Sequence, residues 1–149
     1  INSEGFLQVL NVGDSACVVV RGDRITARSR EVNHFFDCPY QLSDYSQDRP
    51  KDGSTLYIEL VAGDLVLMGS DGIFDNLTDD QIIELVTTKQ QQRSGTLARK
   101  IVDLSRKISL DVDAKTPYAK QARLRGDKEY SNGLGGKVDD ASCIVVSCK

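Results

Sequence analysis

The sequence predicts an α+β protein, an antiparallel β-sandwich flanked by helices, from three observations. Five segments with strand character occupy the first seventy residues, segments with helical periodicity follow, and one more apolar segment lies near the end of the chain. Strands joined by short turns pair antiparallel, and the sheets they form must bury one face against another layer. At 149 residues, the chain is one domain or part of one.

The first three strands are expected in the first thirty residues, as a β-meander. They cover residues 6–12, 16–20 and 24–29, and turn residues separate them at 13–15 and 21–23. Glycine and aspartate at these two positions suit hairpin connections. Asp14 therefore belongs to a turn in this interpretation and is not assigned to a metal.

Two further strands follow a polar, irregular stretch at 32–54, which we expect to lie on the surface. Residues 55–61 alternate strictly, so the aliphatic side chains at even positions should face inward and those at odd positions outward. The apolar run at 65–69 has no polar interruption. Such a run is typical of a strand that is buried on both faces.

The helices that follow have recognisable starts. Thr78 and Gln81 form the Thr-x-x-Gln pattern of a capping box, which predicts a helix beginning there. A second helix should start near Ser94 or Thr96, since aliphatic residues then recur at helical spacing. A shorter helix is predicted over 116–124. The glutamine-rich stretch at 89–93 is interpreted as a solvated helix end.

Composition argues against several classes of partner. The net charge is −3, whereas non-specific nucleic-acid binding needs a basic face. No apolar run approaches the roughly 20 residues of a membrane helix. The four cysteines include no Cys-x-x-Cys pair, a usage typical of reduced thiols in an intracellular protein. We therefore expect no nucleic-acid partner, no membrane association and an intracellular location.

Acidic residues at two distant places in the sequence predict a metal site. Asp71 and Gly72 follow the apolar strand at 65–69, and Asp139 and Asp140 precede the last apolar segment. If these strands pair antiparallel, the end of the first lies beside the start of the second. Crowded carboxylates would repel one another without a divalent cation, and all-oxygen ligation suits Mg²⁺, Mn²⁺ or Ca²⁺. Taken alone, Asp71 and Gly72 could equally form an Asx turn that ends the strand.

Three motifs occur in the order in which they stand in a known family. They are Asn11-Val12-Gly13-Asp14-Ser15, Ser70-Asp71-Gly72-Ile73-Phe74-Asp75-Asn76 and Gly135-Gly136-Lys137-Val138-Asp139-Asp140-Ala141-Ser142. Together they resemble the later motifs of the metal-dependent serine/threonine protein phosphatases of type 2C. The segments at 34–43 and 116–122 resemble a compact subgroup of that family, some of whose members are organellar. The location is therefore expected to be cytoplasmic or organellar, with mitochondria included.

The resemblance implies a sandwich of the αββα type that here lacks its N-terminal portion. Residues 1–149 would form the C-terminal part of a single phosphatase-like domain. The family's general acid and its phosphate-binding arginine are expected upstream, so no catalytic residue is assigned within this chain. His34 does not stand in the context of the family's catalytic histidine, and we expect a structural role for it.

The resemblance also implies a set of site residues and a chemistry. In the intact domain two Mn²⁺ or Mg²⁺ ions would be bound, with Asp71, Gly72 and Asp139 as the metal-binding residues of this chain. Asp75 is expected to shape the metal-binding loop, with ligation through a water molecule as the alternative. Asp140 would contact the direct ligands and not the ion itself. The expected function is hydrolysis of phosphoserine and phosphothreonine in protein substrates by a metal-bridged water. The alternative is a non-catalytic relative or fragment that binds other proteins.

Overall fold

The computed structural model describes residues 1–88 and 93–149, and these form two compact units. One unit comprises residues 1–68 and 146–149, and the other comprises residues 69–145. The solvated helix end predicted at 89–93 lies, apart from its last residue, outside the described residues. In chain order, the strands are β1 (Phe6–Asn11), β2 (Ala16–Arg21), β3 (Arg24–Arg28), β4 (Asn33–Phe35), β5 (Cys38–Pro39), β6 (Ser54–Glu59), β7 (Leu65–Gly69) and β8 (Cys143–Ser147), and the helices are α1 (Asp71–Phe74), α2 (Asp79–Thr87), α3 (Ser94–Ser109) and α4 (Pro117–Leu124).

The first unit contains the strand pairs that build its core. β1 pairs antiparallel with β6, which places Leu7 opposite Ile58 and Val9 opposite Leu56. Leu7 and Val9 are buried with residues of β2 and β7, and the aliphatic side chains of β6 pack against this cluster. The alternation predicted for β6 is thereby confirmed, because Tyr57 on the other face is exposed.

The predicted β-meander is wrong at its first connection. β2 and β3 do form an antiparallel hairpin, but β1 pairs with β6 and not with β2. The carbonyl of Gly13 accepts a hydrogen bond from the backbone N–H of Val32 and another from the side chain of Asn11. The turn after β1 is thus bonded to a distant segment and closes no hairpin, which frees β1 to pair elsewhere.

The irregular stretch at 32–54 contains two short strands, β4 and β5, and a 3₁₀ turn at Pro50–Asp52. One buried carboxylate, that of Asp48, organises it: it accepts the backbone N–H of Gln41 and lies 3.1 Å from His34 Nε2. His34 also stacks on Tyr40, with ring centroids 4.2 Å apart. These contacts are consistent with the structural role expected of His34.

β7 and β8 are neighbours in a four-stranded sheet of order β3-β2-β7-β8. The backbone N–H of Cys148 donates to the carbonyl of Asp64, and that of Ser70 donates to the carbonyl of Ser142. Because one residue number rises while the other falls, the two strands run antiparallel, as predicted. The expected burial is confirmed only in part. Val66 and Leu67 are buried on opposite faces, but Met68 is 43% exposed and Ile144 in β8 is 60% exposed.

The second unit contains the four helices. Thr78 caps α2 as predicted, since its side chain accepts from Gln81 N–H while the Gln81 side chain accepts from Thr78 N–H. α3 starts at Ser94 and packs against α1 and α2. Thr116 caps α4, which confirms the short helix predicted there. The single-turn helix α1 was not predicted. Among the described residues, no helix combines the length and apolar character needed to cross a bilayer.

Candidate metal centre

Asp71 is the first residue of α1 and follows β7 after a single residue. Its Oδ1 accepts the backbone N–H of Gly72 at 2.8 Å. Its backbone carbonyl accepts the N–H of Asp75, which closes the helical turn. One carboxylate oxygen of Asp71 is therefore held by the backbone, while Oδ2 makes no contact with the backbone of its own turn and faces a cation, the ammonium of Lys137.

Gly72 allows α1 to lie very close to the segment that precedes β8. A Cβ added to Gly72 would lie 2.5 Å from the carbonyl oxygen of Asp140, which is closer than any real contact of that kind. The carbonyl of Gly72 is buried and accepts hydrogen bonds from Asn76 Nδ2 and Ser105 Oγ. These two partners use the lone pairs of the oxygen. The assignment of Gly72 to the metal stays a prediction, and the described geometry favours its missing side chain as its contribution.

Asn76 joins α1 to the segment that carries Lys137. Its Nδ2 donates to the carbonyl of Lys137 at 2.8 Å, and its Oδ1 accepts the Lys137 N–H at 2.9 Å. The side chain is only 1% exposed, so these two bonds are formed in a dry environment. A buried amide that is satisfied in this way fixes the register of the two segments.

The ammonium of Lys137 lies among three carboxylates. Its Nζ is 3.1 Å from Asp71 Oδ2, 2.9 Å from Asp75 Oδ2 and 3.5 Å from Asp139 Oδ2. It also lies 5.0 Å from the centre of the Tyr118 ring, within cation–π range. The two acids predicted to meet, Asp71 and Asp139, are thus brought to one cation.

Asp139 and Asp140 lie just before β8 and not within it. The Asp139 Oδ1 accepts the backbone N–H of Asp140 at 2.8 Å, which leaves Oδ2 directed at Lys137. The carbonyl of Asp140 accepts the hydroxyl of Ser70, and the same hydroxyl accepts the N–H of Ser142. Asp140 therefore supports the site through its backbone, and a role for its exposed carboxylate stays a prediction.

These residues fit part of a coordination shell for a hard cation. Asp71 and Asp139 present oxygens to one positive charge, and Mg²⁺ is often held by one or two carboxylates together with water. Mg²⁺–oxygen distances of about 2.0–2.1 Å are shorter than the 3.1 and 3.5 Å contacts to Lys137 Nζ, so both carboxylates would have to move inward to bind an ion there. Across residues 1–88 and 93–149, no three His, Cys, Asp or Glu side chains form a complete metal-binding group. The remaining ligands would have to come from elsewhere.

Lys137, Asn76 and Tyr118 were not assigned roles from the sequence. A lysine that stands between a glycine pair and an acidic pair is expected to be an exposed charge, and its neighbours in sequence do not indicate that it contacts α1. A signal for Asn76 was its position as the one amide side chain in the motif at 70–76.

Cys143, at the start of β8, does not offer a nucleophile. Burial raises the pKa of its thiol to about 11. The thiol is therefore protonated at neutral pH, and the thiolate is the reactive form.

Relatives of the chain are found among phosphatases, although no family model matches it. "Probable protein phosphatase 2C 1" from Oryza sativa subsp. japonica is 33% identical over 157 residues, which cover 100% of this chain and 47% of that protein. The solved photosystem II phosphatase PBCP has a TM-score of 0.91 and 32% identity, over 100% of this chain and 61% of that one. The catalytic domain of the phosphatase PstP, solved with 2 manganese ions, has a TM-score of 0.62 and 17% identity, over 99% of this chain and 55% of that one. The chain spans about half the length of the curated relatives it matches.

Proposed function

This chain is related to the type 2C protein phosphatases along about half of their length, and from that premise we propose that it forms the C-terminal part of such a domain. Within the intact domain, its function would be the metal-dependent hydrolysis of phosphoserine and phosphothreonine in proteins. The observation that carries the proposal is that Asp71 and Asp139, which are far apart in sequence, both contact one cation, the ammonium of Lys137.

Asp71 and Asp139 would hold Mn²⁺ or Mg²⁺, two ions in the intact domain. When bound, such an ion lowers the pKa of a coordinated water and offsets the charge that develops on the phosphoryl oxygens. The two aspartates are arranged alike: each Oδ1 accepts the N–H of the next residue, and each Oδ2 is directed at the cation position. The backbone thus orients both carboxylates before any ligand arrives, which reduces the entropy lost on binding.

The chain's own residues also support the position of these ligands. Asn76 holds the backbone of Lys137 beside α1, and the missing side chain of Gly72 lets the backbone of Asp140 approach. Asp75 contacts Lys137 and would shape the loop without binding the ion directly. The substrate would be a phosphorylated protein, and we propose neither a nucleic-acid nor a membrane partner. The compartment would be the cytoplasm or an organelle.

The test is metal-dependent phosphatase activity in the full-length protein. We expect Mn²⁺-dependent hydrolysis of p-nitrophenyl phosphate and of a phosphothreonine peptide. Asp71→Asn should lower turnover at least about a hundredfold, because metal-ion stabilisation of the transition state is worth several kcal/mol.

Asp103→Asn is the matched control, since Asp103 is an exposed residue of α3. It loses the same charge and should keep wild-type turnover. Unchanged turnover in Asp71→Asn would rule out the proposed role of that residue. If the wild-type protein binds Mn²⁺ and hydrolyses neither substrate, the non-catalytic, protein-binding alternative would replace the phosphatase.

A further inference from the structure

We propose that Lys137 is a built-in counter-ion that competes with the divalent cation for Asp71 and Asp139 and thereby lowers the metal affinity of the centre. The inference rests on one part of the proposed function, the binding of a divalent cation by Asp71 and Asp139, and does not require phosphatase activity. In this proposal Lys137 is a positioning residue, because it acts through the two carboxylates.

The first argument is the position of the ammonium. Its Nζ lies within 3.5 Å of one oxygen from each of Asp71, Asp75 and Asp139, and the side chain is only 18% exposed. The contacted oxygens of Asp71 and Asp139 are the ones that the backbone leaves available for a metal. A lysine ammonium is a compact point charge, so it can fill the position of a small cation among carboxylates.

The second argument is that the side chain of Lys137 can leave while its backbone stays. Asn76 bonds both the N–H and the carbonyl of Lys137. The preceding Gly136 donates its N–H to the carbonyl of Asp111, and a Cβ at Gly136 would lie 2.2 Å from the carbonyl oxygen of Ile108. The backbone is therefore held against α3, whereas the four-carbon stem of the side chain retains rotatable bonds.

The third argument is electrostatic exclusion. An ammonium and a divalent cation that share the same Oδ2 atoms would lie within a few ångströms of each other, and their repulsion would be large in a partly buried site. Metal binding must therefore move Nζ away from Asp71 and Asp139. Asp75, which is not proposed as a direct ligand and makes the shortest contact at 2.9 Å, offers a place for the displaced ammonium.

The first experiment is calorimetric titration of the full-length protein with Mn²⁺. Lys137→Met should bind Mn²⁺ about tenfold more tightly than wild type, which corresponds to the loss of a competing contact worth about 1.4 kcal/mol. Lys137→Arg keeps the charge and should bind no more tightly than wild type. Lys120→Met, at an exposed position of α4, removes the same charge and should leave the affinity unchanged. Equal or weaker Mn²⁺ binding in Lys137→Met would overturn the proposal.

The second experiment uses wild-type protein only, so it does not depend on a variant that folds. Amine acylation followed by mass spectrometry should label Lys137 several times faster with saturating Mn²⁺ than with chelator, while Lys120 should label equally in both. If Mn²⁺ binds in the calorimeter but the labelling rate of Lys137 does not change, the proposed competition by Lys137 is wrong, whereas the proposed metal site is supported. Absence of Mn²⁺ binding in the wild-type calorimetry would overturn both.

Discussion

Asn76 and Asp64 are polar side chains with almost no exposure, 1% and 0% respectively, and both have partners for their buried atoms. Asn76 joins two backbone segments at the candidate metal centre. Asp64 accepts two hydrogen bonds from the guanidinium of Arg21, at 2.8 and 2.7 Å, and one from the backbone N–H of Val61. A buried polar group is stable only where such partners are present, so these residues mark where the local structure is least tolerant of change.

The ion pair of Asp64 predicts a dependence of stability on pH. The hydrogen bonds from Arg21, and then that from Val61, hold the pKa of Asp64 below its ordinary value despite burial. The unfolded chain has a pKa of about 3.9 at this residue. Because the pKa is lower in the folded state, the ionised carboxylate stabilises the fold. This contribution is complete above the unfolded-state pKa and is lost as the pH falls through the folded-state pKa.

Asp64→Asn should therefore be less stable than wild type at neutral pH, and the difference should shrink as the pH falls below 4 or so. The measurement is the free energy of unfolding by urea across that range. Asp23→Asn, at an exposed turn residue of the same unit, is the control and should show the smaller change. A difference between wild type and Asp64→Asn that stays constant at every pH would contradict the assignment.

At the scale of elements, a one-turn helix and an extended segment form the candidate metal centre. α1 places Asp71 directly after β7, and residues 139–141 approach α1 directly before β8. The antiparallel pairing of the two strands brings these ends together, and Ser70 then bonds across to Asp140 and Ser142. The geometry of the centre thus depends on how closely two backbone segments can pack.

Gly72→Ala tests that close packing. The added methyl group would meet backbone atoms of Asp140 and Ala141 that cannot rotate away, so unfolding should become easier by about 1–3 kcal/mol, the usual cost of overpacking. Mn²⁺ affinity should fall as well, because the segment carrying Asp139 must shift. Gly95→Ala in α3 adds the same methyl group into open space and should stabilise the protein by about 0.5 kcal/mol. Urea unfolding separates the two variants, and equal stabilities would refute the packing argument.

At the scale of the whole molecule, the chain passes between its two compact units at β7 and β8. Asp71, Asp75, Lys137 and Asp139, the four residues that meet at the candidate metal centre, all belong to the second unit. The ligands proposed here make up only part of a coordination shell, in keeping with a chain that spans about half of its relatives' length.

If Mn²⁺ binds the folded state only, the thermal stability of the protein should rise with Mn²⁺ concentration. In the full-length protein, Mn²⁺ at a hundred times its Kd should stabilise the fold by about 2.7 kcal/mol, and chelation should reverse the shift in Tm. Asp139→Asn should remove most of this gain. Sodium chloride at matched ionic strength is the control, because it screens surface charges without occupying the site. A Tm that Mn²⁺ does not change would count against the metal site as a whole.

The sequence alone determined the features that depend on neighbouring residues. Alternation predicted β6, the Thr-x-x-Gln pattern predicted the start of α2, and the acids flanking two apolar runs predicted the approach of Asp71 and Asp139. The first two follow from side-chain periodicity and from a hydrogen bond made within a few residues. The third follows from the antiparallel pairing expected of the two apolar strands. The type 2C resemblance likewise rested on short contiguous motifs.

Only the tertiary structure decided the pairing of β1 with β6, the exposure of β8 and the place of Lys137. Strand partners are selected by which apolar faces meet across long stretches of chain, and β1 had more than one candidate. Lys137 reaches the carboxylates because buried Asn76, far away in sequence, holds its backbone. A pattern within a short stretch of sequence cannot predict such a contact, because the two segments that form it meet only in the folded chain.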